Sequence, residues 1–429
     1  VAKYFFAQIE GRSSKYHWAV ALLSLLVFAW FIATVIRFKL GFWVTGLNHS
    51  ITWGGSEVLF VLFVGLSAGS LLISALGAIF GQTEYKVLSR VAALNSVLFM
   101  SAALMMLISS WGRPDRILLP FYNINPRSML SLNAFVYSSY ITVGIIYLWA
   151  QLKNSEKWSK VLAIAAVCTA IFVHSGTGFI FGVINGREMY FSSLTPLAFV
   201  IAALSSGTAL AMLVLHYSFK ATGRWIDKRF YIQLSRVMLG LIFFVLFIVT
   251  IEHLIHMYAP EHYEGEHYVL FSGSFFTYVF WIQLYTIGFI IPIVILLHPR
   301  TRSRLGWILG ASALHIFGIL GERILFILPG QFINIPILPG FEFSSASYGD
   351  GAIINYFPMI TAWVQYIGVV AAVGLAYLLL IKWLPLLPQE AKLIKPAPPA
   401  DLLIEEGGEA EEEGEADTAG GAAEAEATA

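Results

Sequence analysis

The sequence predicts an all-α integral membrane protein of about ten transmembrane helices, and three observations predict it. Of 429 residues, 58% are hydrophobic and only 12% charged, whereas soluble globular chains run near half apolar and a quarter charged. The mean hydropathy is +0.74. The apolar residues also fall into long runs of the length at which a helix spans hydrocarbon with its backbone hydrogen bonds satisfied internally. No alternating ten-residue strands of a membrane barrel occur in the sequence.

The runs lie near 17–38, 53–81, 88–110, 130–152, 158–182, 194–218, 230–257, 270–298, 303–327 and 358–384. Residues 1–16 are polar and aromatic, with no small-residue cleavage site after a short apolar stretch, so the first run reads as a retained helix followed by a loop to 52. An even number of spans puts both termini on one side. Connections on that side carry Lys86, Arg90, Lys153, Lys157, Lys160, Lys220, Arg224, Lys228, Arg229, Arg300, Arg302 and Arg304. The opposite connections hold only Arg37, Lys39, Arg113, Arg116, Arg127 and Arg187. The positive-inside rule therefore predicts a multi-pass protein of the cytoplasmic (inner) membrane with both termini cytoplasmic. The outer connections are the long ones: 111–129, 183–193, 258–269 and the loop 328–357, and loops of that length cover sites or meet partners.

The formal charge is zero, with 26 basic and 26 acidic residues, but 11 of the acidic ones fall from Asp401 onward. The rest of the chain is basic. Residues 385–429 read as a cytoplasmic tail, and from about 399 its acidic low-complexity sequence cannot bury a core and reads as disordered. The one cysteine, Cys168, allows no internal disulfide and cannot hold an iron–sulfur cluster, which needs several thiolates. Any such centre belongs to a partner. Nothing in the chain suggests nucleic acid.

Ionisable side chains inside a bilayer are costly and mark function by default. The second span opens on Trp53-Gly54-Gly55-Ser56-Glu57, setting a carboxylate just below the outer surface. The fifth carries His174-Ser175-Gly176-Thr177 in its outer third. The seventh ends in Glu252-His253-Leu254-Ile255-His256, with Glu252 and His256 on one face at i,i+4. The ninth carries Glu322-Arg323 near its end. All four sets lie in the outer half. Such a convergence suits a polar pocket where a quinone head group exchanges two electrons and two protons, because each ring oxygen of a quinol needs a proton acceptor. Each residue also has a plain structural reading, as an interfacial histidine or a buried ion pair; their collective placement carries more weight than any one of them.

Walker loops, dinucleotide GxGxxG turns and HExxH motifs are absent, so nucleotide and zinc hydrolysis have no support. A haem b-bearing, quinol-oxidising cytochrome stays open, since His174, His253, His256 and His315 lie in spans and axial ligation needs two facing imidazoles. A proton-coupled secondary transporter also stays open, although transporters put their sites at the midplane on broken helices. A structural anchor for a catalytic subunit is a third alternative.

Trp111-Gly112-Arg113-Pro114-Asp115-Arg116, followed by Asn125-Pro126-Arg127-Ser128, resembles the signature of the polysulfide-reductase membrane-subunit family, the NrfD/PsrC-like proteins. The stretch from Trp53-Gly54 to Phe63-Val64-Gly65-Leu66-Ser67-Ala68-Gly69 resembles the family's opening helix. His174, then Gly182 and Ser193-Leu194-Thr195-Pro196-Leu197, resembles a further region, and Glu322-Arg323 resembles the glutamate–arginine pair of the ten-helix branch, which includes DsrP-like subunits and alternative complex III membrane subunits. The likeness runs from about 50 to 385. It implies two four-helix bundles, 53–182 and 183–327, with one flanking helix at each end. It implies a subunit that is not catalytic alone and that exchanges electrons between menaquinone or ubiquinone and an iron–sulfur ferredoxin-like partner. A molybdopterin-type catalytic subunit on the outer face completes the implied complex. Members generally lack haem, so no haem or cluster is expected in this chain. Carried onto this sequence, the quinone contacts are Trp53, Glu57, His174 and Thr177, with Arg113 and Asp115 in the loop above. Glu57 stands where the family's pattern leads one to expect another polar group or a histidine. Glu252, His253, His256, Glu322 and Arg323 are the expected proton-transfer residues.

Overall fold

The computed structural model describes residues 6–7, 9, 13–48, 51–79, 83–184, 186–224, 226–332 and 356–388. The expected disordered tail, most of the 328–357 loop and most of residues 1–12 lie outside them. Among the described residues, ten helices are long and apolar enough to cross a membrane: α1 Ser14–Leu40, α2 Gly55–Ile79, α3 Thr83–Ser110, α4 Met129–Leu152, α5 Glu156–Gly182, α6 Thr195–Ala221, α7 Lys228–Tyr258, α8 Phe275–Leu297, α9 Leu305–Ile327 and α10 Ile360–Trp383. The chain is an all-α, multi-pass integral membrane protein. A two-residue antiparallel pairing joins Phe6–Ala7 to Leu387–Pro388.

Local chemistry sets the helix ends. Gly41, at φ +95°, stops α1. Ser128 caps α4 by accepting from the Ser131 amide, and the Asp227 carboxylate accepts from the Arg229 amide at the start of α7. Pro196 opens α6, where a missing N–H costs nothing. The sequence starts its eighth span at 270 and leaves 258–269 as a connection. The structure instead folds Pro260–Phe271 into a helix of its own, here called the interspan helix. Gly273, at φ +70°, then turns the chain before α8 begins. The interspan helix's residues EHYEGEHY are too polar to register as a span, yet apart from Gly265 none of them opposes a helix once Pro260 starts it.

Inside a membrane, helices associate by close packing and hydrogen bonds more than by hydrophobicity, which favours small residues at their crossings. Two crossings are backbone on backbone. A Cβ on Gly69 of α2 would lie 2.5 Å from Cα of Gly207 on α6, and one on Gly288 of α8 would lie 2.7 Å from Cα of Gly318 on α9. α2 is the most enclosed of the ten, with 89% of its apolar window buried. It packs on α3, α5, α6 and α9, while α1 lies along α10. The Arg37 guanidinium on α1 donates to the carbonyls of Trp111 (2.7 Å) and Ile108 (3.2 Å) at the end of α3, where the backbone carbonyls run out of helical donors. α8 starts and ends as α-helix but is π-helical over Val279–Ile290. Cys168 on α5 is exposed.

Candidate functional site

The start of α2 and the ends of α5, α7 and α9 meet at one end of the molecule. Gln331, just past α9, ties the end of that helix to the start of α2: its Oε1 accepts from the amides of Thr52 (3.0 Å) and Trp53 (2.9 Å), and its Nε2 donates to Trp53 O (2.8 Å). The Trp53 ring stands edge-on to Phe181 at 5.1 Å, Phe181 to Phe326 at 5.1 Å, and Phe326 to Phe199 at 4.9 Å. The cluster thus runs from α2 across α5 to α6 and α9.

Glu57 is buried, and its Oε2 accepts from the Gly54 amide at 2.7 Å, one half of a capping box. Beside it, Tyr356 and Tyr366 approach hydroxyl to hydroxyl at 3.3 Å, and Tyr356 accepts from the Gly55 amide. His174 is also buried, but faces Gly65, eight residues or about 12 Å further along α2 than Glu57. Its Nδ1 lies 3.2 Å from Ala170 O. A carbonyl can only accept, so Nδ1 carries the proton and Nε2 is left as a lone-pair acceptor. Among the described residues Nε2 has no hydrogen-bond partner. Thr177, one turn on, pairs with Tyr137 at 2.8 Å. Arg113 and Asp115 form an exposed ion pair at 2.9 Å, its groups 65% and 58% exposed, apart from both sets; each charge favours the other's ionised form.

The α7 and α9 residues surround a cavity of about 50 Å³, room for a few waters. Glu252, His253 and His256 line it from α7, Glu322 from α9 and Glu266 from the interspan helix, closed by Phe326, Val249 and Leu284. Glu266 accepts from His253 Nδ1 at 2.5 Å, and its other oxygen lies 3.4 Å from His256 Nδ1. Burial by itself would raise this carboxyl; His253, then His256, outweigh it and hold Glu266 at about 2. His256 stacks on His262 at 4.5 Å, and Thr195 donates to Glu252 at 3.2 Å. Arg323 turns away from the cavity, pairing with Glu322 at 3.1 Å and lying 4.1 Å over the Phe199 ring. Glu322 Oε2 has no partner among the described residues.

Four of the expected proton-transfer residues therefore share one cavity, whereas the expected quinone contacts divide among the helix mouth (Trp53, Glu57), a deeper point (His174, Thr177) and the exposed loop (Arg113, Asp115). Glu266, Gln331, Tyr137, Tyr356 and Tyr366 are additions that sequence reading missed. Glu266 lay in a stretch read as a connection, and the tyrosines carry no charge to mark them.

A fold of ten spans with buried carboxylates and histidines gathered at one end defines a class of membrane proteins with a polar site near one surface. The chain belongs to the NrfD polysulphide reductase family, whose model matches residues 43–335. It is 36% identical over 389 residues to the Hdr-like menaquinol oxidoreductase integral membrane subunit of Archaeoglobus fulgidus, covering 90% of this chain and 97% of that one. It is 25% identical to a selenate reductase subunit of Mesobacillus selenatarsenatis, covering 87% and 95%. It is 24% identical to the menaquinone reductase integral membrane subunit of Nitratidesulfovibrio vulgaris, covering 82% and 87%.

Proposed function

We propose that this chain is the quinone-handling membrane subunit of a respiratory oxidoreductase complex, passing electrons between a membrane quinone and an iron–sulfur partner subunit that serves a separate catalytic subunit. Relatives named for menaquinol and menaquinone support the quinone class. The observation that carries the reading is the buried Nε2 of His174, fixed as an acceptor by the Ala170 carbonyl and without a hydrogen-bond partner among the described residues. That nitrogen fits a quinol hydroxyl. Trp53, Glu57, His174 and Thr177 would hold the head group, with Arg113 and Asp115 orienting it from the loop on the outer side.

A bound quinol supplies two electrons and two protons when it is oxidised. His174 takes a proton at Nε2 and Glu57 at its carboxylate, the first about 12 Å deeper along α2 than the second. Glu252, His253, His256 and Glu322 hold protons in the cavity, and Arg323 balances the charge of Glu322 from outside it. Both termini stand on the cytoplasmic side of the inner membrane.

The test is purification with bound partners, followed by a visible spectrum and solvent extraction. The expected result is a quinone in the extract, an iron–sulfur partner and no Soret band. A preparation without quinone or partner refutes the proposal, and a b-type spectrum favours the cytochrome alternative.

A further inference from the structure

α4 turns a polar stripe into the interior along its whole length. Asn133, Tyr137, Tyr140, Gly144, Tyr147 and Gln151 alternate at spacings of four and three, which keeps them on one face, and all are buried. From Asn133 to Gln151 the stripe rises about 27 Å, close to the thickness of the hydrocarbon core.

Hydroxyls from neighbouring helices meet it at three levels. Tyr137 pairs with Thr177 of α5 at 2.8 Å. Tyr140 meets Ser96 of α3 at 2.7 Å and Ser67 of α2 at 2.9 Å. Tyr147 accepts from Ser74 at 3.2 Å, and Gln151 donates to Ser89 at 2.6 Å. Ser70, fully buried on α2 between Ser67 and Ser74, donates to Leu66 O and keeps its acceptor lone pairs. The two ends of the stripe share a further property: Asn133 Oδ1 and Gln151 Oε1 are buried and, among the described residues, accept no hydrogen bond. A carbonyl oxygen left in that state is where a water donates.

We propose that this seam, with water at its ends and Ser70 between the Tyr140 and Tyr147 levels, conducts protons between the membrane face at Gln151 and the His174 region, one helical turn from Thr177. The assignment rests on the proton-acceptor role given to His174 under the proposed function. Each transfer breaks one O–H bond and forms the next, so the seam itself is unchanged, a proton given up by His174 emerges at Gln151, and no electron moves through it.

Buried hydroxyls also hold membrane helices together, and that alternative predicts different behaviour. The full-length chain is reconstituted in liposomes containing a pH dye, and a potassium diffusion potential drives protons inward. Wild type is expected to acidify the lumen several-fold faster than protein-free vesicles. Tyr140→Phe and Ser74→Ala are expected to fall to the protein-free rate, while Ser138→Ala, whose hydroxyl bonds Ala134 O off the seam, behaves as wild type. Melting temperatures confirm that each variant is folded. Wild-type flux equal to empty vesicles, or lowered melting in Tyr140→Phe with flux unchanged, overturns the proposal. Quinone extraction from the same preparation separates the two readings: flux without quinone keeps the seam and removes the quinone assignment.

Discussion

The Glu266 carboxylate of the interspan helix sits 2.5 Å from Nδ1 of His253 on α7, and this contact fastens an extramembrane helix to the end of a span. Its pH behaviour follows from the sign of the shift. The carboxyl is held at about 2 against an ordinary 4.5, so its contribution to stability is complete above its ordinary value. That contribution is lost as pH falls through 4.5 toward 2, and amounts to about 3 kcal/mol. Glu266→Gln is expected to lower the melting temperature at neutral pH and to flatten the fall on the acid side. A variant whose melting follows the wild-type pH curve would show that the carboxylate contributes nothing there.

His174→Phe keeps the bulk of the ring and removes the acceptor. In the intact complex, quinol oxidation is expected to drop by roughly 10²–10⁴-fold, the usual contribution of a positioned acid–base group, with the chain still assembled. Turnover within a factor of two or so of wild type would reduce His174 to a packing residue.

Arg323 is buried with Glu322 and lies over Phe199. Arg323→Met leaves a buried carboxylate without its cation, and breaking such a pair costs about 3–5 kcal/mol. Glu322→Gln removes the carboxylate charge but keeps a hydrogen-bonding group beside the guanidinium. Detergent-solubilised yield and melting should therefore rank wild type first, Glu322→Gln next and Arg323→Met last; equal losses would contradict the pairing seen here.

Gly69→Val forces a branched side chain into the backbone of α6 at Gly207. Neither backbone can yield without parting the helices, so a loss of about 3 kcal/mol, the upper end of the usual overpacking cost, is expected. The same change at Gly240, where a Cβ meets nothing within 4 Å, is the matched control. Similar melting of the two variants would remove the close approach as an explanation of α2–α6 packing.

Arg90 binds three separate pieces of chain, stacking 3.6 Å over Phe6 and donating to Pro385 O at 2.7 Å and Asn154 Oδ1. Arg90→Ala should free the Phe6–Ala7 pairing with Leu387–Pro388, read as faster protease cutting of both segments. Unchanged cutting would mean that the strand pairing alone holds them.

The spans were legible because twenty-odd apolar residues have one physical destination. The end of the molecule at which the charges gather was legible too, since each odd-numbered helix from the fifth to the ninth carries its charge near its C-terminal end. What the sequence hid depends on neighbours distant in the chain. Gln331 looks like an ordinary loop amide until Trp53 is placed beside it. Glu266 is one acidic residue among several in a stretch too polar for a span, and only folding shows that it, unlike Glu261, turns toward two histidines. The π-helical run of α8 was hidden for another reason: its composition is that of any apolar span.

That winding ties the register of α8 to the cavity. The Gly288 carbonyl is bound by His315 Nδ1 at 2.9 Å, and Phe280, eight residues earlier, stands edge-on to His253 at 4.8 Å. Removing a single residue between them, with the winding otherwise kept, turns the two sites relative to one another by roughly 100°, the rotation per residue of an α-helix. Everything before the deletion would then swivel as a unit, carrying Phe280 off the histidine. A length difference of one amino acid in an otherwise featureless apolar run is thus enough to decide whether His253 keeps Phe280 beside it.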